Sequence, residues 1–173
     1  MSDLSGKKAL VTGAGLGIGQ GIAVELARCG AEVAIHYAHT EPGESVSQIE
    51  KLGGKAATVQ GDLSKVGECE RTVDAAAEAL GGLDTLVNNA GVTKTLDFLD
   101  TDEKTYDSVF DLNMKGYFFL AKRAVPYMMN LPRLRRGQLR HGTGPLRGRR
   151  HHRQDGPVVE PGRRARVMPG GCS

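Results

Sequence analysis

The chain has few cysteines, no long apolar run and, in its last quarter, no Lys and no Tyr. Cys29, Cys69 and Cys172 are odd in number and lack metal-ligand spacing. That argues against a disulfide framework and for free thiols in a reducing cytosol. No run of roughly 18 apolar residues occurs, so no transmembrane helix is expected. The opening Met1-Ser2-Asp3-Leu4-Ser5-Gly6-Lys7-Lys8 carries charge but no apolar stretch, unlike a signal peptide. Without a transit or lipidation signal, the expected location is cytoplasmic. Residues 131–173 contain no Lys, no Tyr and no Phe, and their one Ser is Ser173.

What is present divides near residue 130. Residues 1–130 hold 12 Lys and Arg against 18 Asp and Glu, a net of −6. Residues 131–173 hold 11 Arg against Asp155 and Glu160, a net of +9. The overall +3 therefore hides two opposite segments. At 173 residues the chain fits one domain, and residues 1–130 alone are enough to bury a core.

In the front segment, short β-rich runs alternate with helical patterns. Residues 8–12 (KALVT), 32–37 (EVAIHY), 55–60 and 83–88 read as strands. Residues 17–29, 44–52 and 66–80 read as helices, each followed by Gly at the expected stop position. Residues 103 to about 129 read as one long helix, with Pro126 kinking or loosening its last turn. Within it Tyr106, Phe110, Asn113, Tyr117, Ala121 and Ala124 recur at spacings of three and four, forming one apolar stripe. Alternation of this kind predicts βαβ units, a parallel sheet and helices on both faces.

Between the first strand and first helix lies Thr12-Gly13-Ala14-Gly15-Leu16-Gly17-Ile18-Gly19. Gly13 permits a tight turn, Gly17 lets backbone approach a pyrophosphate, and Gly19 lets the helix pack near the sheet. The N–H groups and positive end of that helix favour phosphate. Asp62-Leu63 follows the third strand and Asn88-Asn89-Ala90-Gly91 the fourth. All three motifs fall at strand C-terminal ends, where ligands of such sheets bind.

These motifs resemble the short-chain dehydrogenase/reductase family over residues 5–129. The resemblance implies an α/β fold: a doubly wound, Rossmann-type parallel sheet of order 3-2-1-4, here incomplete. It implies cofactor contacts from Gly13, Gly15, Leu16, Gly17, Ile18 and Gly19, from Asp62 and Leu63, and from Asn89, Ala90 and Gly91. Asp111-Leu112-Asn113 is similar to the family's catalytic-helix Asn, which implies that Asn113 helps hold a water of the proton relay. From the residues alone, Asn113 could equally be a structural Asn that bonds neighbouring backbone. The implied function is NAD(P)-dependent oxidoreduction of a carbonyl/alcohol pair, with 3-oxoacyl-carrier-protein reductases and sugar or polyol dehydrogenases as candidate subclasses.

The end of the second strand reads His36-Tyr37-Ala38-His39-Thr40, with no acid before Glu41. A carboxylate there would hold the ribose 2′-OH of NAD. Its absence, with His39 available to a 2′-phosphate, leans the expectation to NADP over NAD, although no Arg or Lys is close in sequence. The family's remaining catalytic members are a Ser after a fifth strand and a Tyr-x-x-x-Lys on the next helix. In that pair the Lys lowers the Tyr pKa, and the Tyr exchanges a proton with the substrate oxygen while hydride moves to or from nicotinamide. Tyr37, Tyr106, Tyr117 and Tyr127 are followed four residues later by Glu41, Phe110, Ala121 and Leu131, so no such pair exists. The chain is therefore expected to be inactive.

Residues 131–173 offer neither helical nor strand periodicity, and their 8 Gly, 5 Pro and 11 Arg predict a disordered tail beside a front segment of residues 1–130. A bare fourth-strand edge should invite aggregation, and the family's homo-oligomer is not expected. Clustered Arg permits a second function class, a non-catalytic nucleotide- or nucleic-acid-binding protein, but the tail lacks the aromatics that stack on bases. Metal binding through His141, His151 and His152 has no fixed scaffold. An out-of-frame translation of a GC-rich reductase gene fits the tail best. The coding DNA translated in the other two frames from codon 128 onward should regain the family pattern in one of them; its absence from both would refute this origin.

Overall fold

The computed structural model describes residues 3–129; the expectations for residues 131–173, disorder included, lie outside them. Four parallel strands, β1 (Lys8–Val11), β2 (Glu32–Tyr37), β3 (Ala56–Gln60) and β4 (Thr85–Val87), form one sheet in the order β3-β2-β1-β4. Helices α1 (Gly17–Arg28), α2 (Gly43–Lys51) and α3 (Val66–Leu80) connect them, and α4 (Glu103–Phe110) and α5 (Tyr117–Met128) follow. The sheet order and flanking helices are as the sequence predicts. Among the described residues, no helix is long and apolar enough to cross a membrane.

The two central strands are almost wholly buried because helices cover both of their faces. Side chains alternate between those faces. Leu10, Ala34 and Val59 point into a core shared with Val73, Ala76, Ala77 and Leu80 of α3 and Leu120 and Ala124 of α5. Val11, Val33 and Ile35 pack on the opposite side with Ala23 and Ala27 of α1 and Ile49 of α2. Small residues on α1 and α3 let those helices lie close to the sheet. Register is fixed by pairs such as Leu10 with Ala34 and Leu10 with Leu86.

Strand β4 is shorter than residues 83–88. Leu83 is buried among core side chains, and Asp84 is held before the strand begins: its N–H donates to the Lys8 carbonyl (2.8 Å) and its carboxylate accepts the Lys8 N–H (2.9 Å). Helix α3 ends in a left-handed Gly81 (φ +70°), and the Gly82 N–H reaches the Ala77 carbonyl (2.7 Å).

The single helix expected from residue 103 is instead three segments. A π-helical turn, Asp111–Gly116, joins α4 to α5. The wider turn takes up more residues than an α-turn and shifts the phase of all that follows. Gly116 thereby faces Leu63, whose carbonyl would lie 2.6 Å from any Cβ added there. Gly116, Leu120 and Ala124 become the buried row. The expected stripe fails at its start: Tyr106 and Phe110 are 51% and 42% exposed and stack on each other, ring centroids 4.1 Å apart. Helix α5 also runs through Pro126 to Met128, so the proline does not end it. Asp74 of α3 anchors it, accepting two bonds from Arg123 (2.7 and 2.8 Å) and one from the Tyr127 hydroxyl (2.7 Å).

This phase has a direct test. Leu120→Ala removes a fully buried side chain and should lower unfolding free energy by about 2–5 kcal/mol. Phe118→Ala, at a position 64% exposed, should change it by no more than about 0.5 kcal/mol. Chemical denaturation of both variants checks the pair, and the reverse ranking would place the helix in the wrong phase.

Candidate dinucleotide site

The sheet order reverses direction between β1 and β4, and the crevice at their C-terminal ends is the position where α/β sheets bind ligands. A cleft of about 540 Å³ opens there. Its walls come from three segments that the sequence singles out. Gly13, Leu16, Gly17, Ile18 and Gly19 form one side, Asp62 and Leu63 another, and Asn89, Ala90 and Gly91 a third.

The glycines serve different needs. A Cβ on Gly13 would lie 2.8 Å from the Ala90 Cα, and one on Gly19 would lie 2.3 Å from the Gly13 carbonyl oxygen. Both positions therefore require glycine because backbone meets backbone. Gly17 differs: at φ +62° its missing Cβ would enter open space. Backbone can be approached there from the cleft, at the first residue of α1. Leu16 caps that helix with no side-chain hydrogen bond, leaving the N-terminal N–H groups and their positive potential to a ligand. Leu16 and Ile18 are 61% and 79% exposed beside it.

Two predicted residues stand outside the cleft lining. Gly15 sits beneath the loop, where an added Cβ would be 3.0 Å from the Thr40 carbonyl oxygen. Asn113, in the π-turn, spends both ends of its amide on one neighbour. Its Oδ1 accepts the Val92 N–H (2.9 Å) and its Nδ2 donates to the Val92 carbonyl (2.8 Å). This is the backbone-bonding role, and it fixes the segment that leaves Gly91. Leu63 contributes main chain, its side chain being buried in the core. Asp62 accepts from the Ser64 N–H and hydroxyl (3.2 and 2.7 Å) and pairs with Lys65 (3.0 Å). The Ser64 bond, then Lys65, hold its carboxyl below the usual carboxylate range.

Several residues that shape the site were not singled out by the sequence. The buried Thr12 hydroxyl donates to the Val87 carbonyl (3.1 Å) and accepts the N–H groups of Asn89 (2.9 Å) and Ala90 (3.1 Å). Asn89 returns two bonds, Nδ2 donating to the carbonyls of Thr12 (2.9 Å) and Gly13 (3.1 Å). Ser45 of α2, also buried, donates to the Ala14 carbonyl (2.9 Å). His36, 2% exposed, accepts the Gly13 N–H at Nδ1 (3.2 Å), and its Nε2 lies 3.0 Å from the Gly61 carbonyl oxygen. A polar residue inside the otherwise apolar β2 run was the one available signal for it. Lys94 lines the cleft as well, a cation that proximity in sequence did not reveal. Cys69 is buried, and desolvation pushes its thiol up to about 11, so it is an inert core residue. Among the described residues, no group of three or more His, Cys, Asp or Glu side chains is placed to hold a metal ion.

Comparison with known proteins agrees with this geometry. The chain matches the family model described as short chain dehydrogenase over residues 7–139. It is 43% identical over 129 residues to a hydroxynaphthalene reductase-like protein, Arp2, of Metarhizium majus (strain ARSEF 297), covering 73% of this chain and 48% of that protein. Among solved structures, a short chain dehydrogenase from Burkholderia cenocepacia J2315 in complex with NADP is 37% identical, with TM-score 0.71. The match covers 73% of this chain and 53% of that one. An NADH-dependent reductase, A1-R′, complexed with NAD is also 37% identical, with TM-score 0.67, covering 72% and 52%. The chain thus spans about half the length of the relatives it matches. With its sheet order, glycine loop and family match in agreement, this chain belongs to the short-chain dehydrogenase/reductase family of oxidoreductases.

Proposed function

We propose that residues 1–130 form a dinucleotide-binding unit that takes NADP in preference to NAD, and that the 173-residue chain binds this cofactor without turning it over. The observation that carries the binding reading is the uncapped start of α1 behind Gly17, where backbone is open to the cleft. Residues 16–19 would receive the pyrophosphate through main-chain N–H groups. Gly13, Gly15 and Gly19 would keep the loop low enough for this, and Asp62, Leu63, Asn89, Ala90 and Gly91 would bound the adenosine and ribose. The lean to NADP is supported by β2 ending without a carboxylate and by His39 and Lys94 in the cleft wall, both able to face a 2′-phosphate. When bound, the nicotinamide would supply hydride to or from a carbonyl/alcohol pair.

The protein's own residues do not complete that reaction. Asn113 would position the wall of the site, and the family's water-holding role is carried over to it by resemblance. After it the one Ser in these 173 residues is Ser173, and no Tyr-x-x-x-Lys follows. The substrate class, whether 3-oxoacyl or sugar and polyol, has no selecting residue in the chain. Within these 173 residues the missing proton donor is what favours binding without turnover over the family's oxidoreduction.

Calorimetric titration of the full chain with NADPH and NADH should show binding, tighter for NADPH. Gly17→Val strains a left-handed residue and fills the approach to it, and should weaken both by tenfold or more, roughly the scale of a backbone strain of 1–3 kcal/mol. Gly21→Ala, on α1 with open space at its Cβ, should bind as the wild type does. Equal heats from wild type and Gly17→Val would show that the loop is not the site.

Turnover should be absent. Loss of the acid/base alone lowers rates by about 10²–10⁴-fold. NADPH oxidation with a panel of ketones, at a rate typical of intact reductases, would defeat that expectation.

A further inference from the structure

We propose that His36 is the positioning residue of the dinucleotide loop, a neutral imidazole whose two nitrogens tie the ends of β1, β2 and β3 together and whose protonation releases the loop. The proposal rests on reading the cleft as a dinucleotide site.

The geometry sets the tautomer. The Gly61 carbonyl can accept but not donate, so Nε2 carries the proton and Nδ1 is left as the acceptor for the Gly13 N–H. The main chain of His36 holds the next residue too, its carbonyl accepting the Ala14 N–H (2.9 Å). One residue on β2 therefore grips two successive loop residues and the first residue after β3. If the ring gains a second proton, Nδ1–H faces the Gly13 N–H at 3.2 Å, donor against donor. At 2% exposed, the ring gains little from turning toward solvent. Gly13 has no slack in the direction of Ala90, so relief must come by moving the loop.

The charged surroundings do not offset this. After β3, Asp62 is paired with Lys65 (3.0 Å). On α3, Glu68 is paired with Arg71 (2.5 Å), whose guanidinium also donates to the Gln60 carbonyl (2.6 Å) beside Gly61. The Cys69 thiol on that helix stays neutral. His39 and Lys94 complete the titratable groups of the cleft on this side. Neither ring nitrogen meets a carboxylate. Burial, with Arg71 adding repulsion, holds the His36 pKa below its ordinary value of about 6.5. The folded state therefore prefers the neutral ring. The stability this gives is full above about pH 6.5 and is lost as pH falls from there through the depressed folded value.

The consequence for binding runs against simple electrostatics, because extra imidazolium charge would ordinarily strengthen a phosphate ligand. The test uses the full chain and NAD⁺, whose pyrophosphate does not titrate in this window. Calorimetry at about pH 7.5 and about pH 5.5 would compare the parent chain with His36→Asn, each in a His39→Gln background; Asn keeps an acceptor for Gly13 but cannot titrate. Affinity should fall measurably in the parent on acidification, by less than the roughly tenfold an unshifted imidazole would give, and should not change in His36→Asn. In parallel, imidazole ¹⁵N spectra should show His36 as the Nε2–H tautomer, protonating below about pH 6.5, with the Gly13 amide moving in step. An affinity that falls equally in both proteins, or a His36 that titrates at or above about pH 6.5 and leaves Gly13 unmoved, overturns the proposal. If NAD⁺ binds neither protein at about pH 7.5, the dinucleotide reading fails while the coupled titration of His36 and Gly13 still decides this one.

Discussion

The interlock between Thr12 and Asn89 is the contact on which the site depends. Parallel strands are joined along their length by backbone bonds, and one such bond, from the Thr12 N–H to the Val87 carbonyl (3.0 Å), continues just past β1. Beyond it, side chains keep β1 and β4 in step. Thr12 can do this because its hydroxyl donates once and accepts twice within a fully buried pocket. Asn89 completes the exchange by giving both amide protons to loop carbonyls. A buried polar group left unmatched costs about 1–3 kcal/mol. Here each partner satisfies the other, so loss of one strands several groups at once. The crevice between β1 and β4 is rigid for this reason.

Around that seam the loop is held on three sides. Ser45 reaches it from α2, His36 from β2, and the Ala90 main chain closes it from the far wall. On its outer side, at Gly17, an added Cβ would meet none of the described residues within 4 Å. A surface fixed from beneath and open above suits a ligand that must be met by main-chain N–H groups, since no reorganisation is needed when it arrives.

Much of this was legible in the sequence because it follows from short-range rules. The short β-rich run EVAIHY, glycine after each of the first three helices, and a glycine loop between a strand and a helix all depend on neighbours a few residues apart. They led to a parallel sheet with helices on both faces, while the strand order and the residues of the cleft wall were what the family resemblance implied. The parts not legible depend on contacts distant in sequence. Ser45 looks like any polar residue of a helix start until Ala14 is placed beside it, 31 positions earlier. Lys94 enters the cleft because of a chain path that no local pattern encodes. The apolar spacing from Tyr106 onward assumes a constant 3.6 residues per turn, and one π-turn is enough to invalidate it. Asn113 was singled out by its motif, yet its bonds to Val92 emerged only from the three-dimensional arrangement.

The π-turn carries a consequence for how this helical arm can change. A regular α-helix over the same residues 111–116 would restore the usual i to i−4 ladder, so local bonding alone favours closing the turn up. Doing so without losing a residue would rotate Gly116 away from Leu63 and carry Leu120 and Ala124 out of the core. The turn is thus held open by tertiary fit against helical regularity. Deleting one residue within it would close the ladder and leave α5 in its present phase, whereas a residue inserted in α5 ahead of Leu120 would turn the buried row toward solvent. Exposed positions of α5 can change one at a time, but the buried row cannot leave its phase.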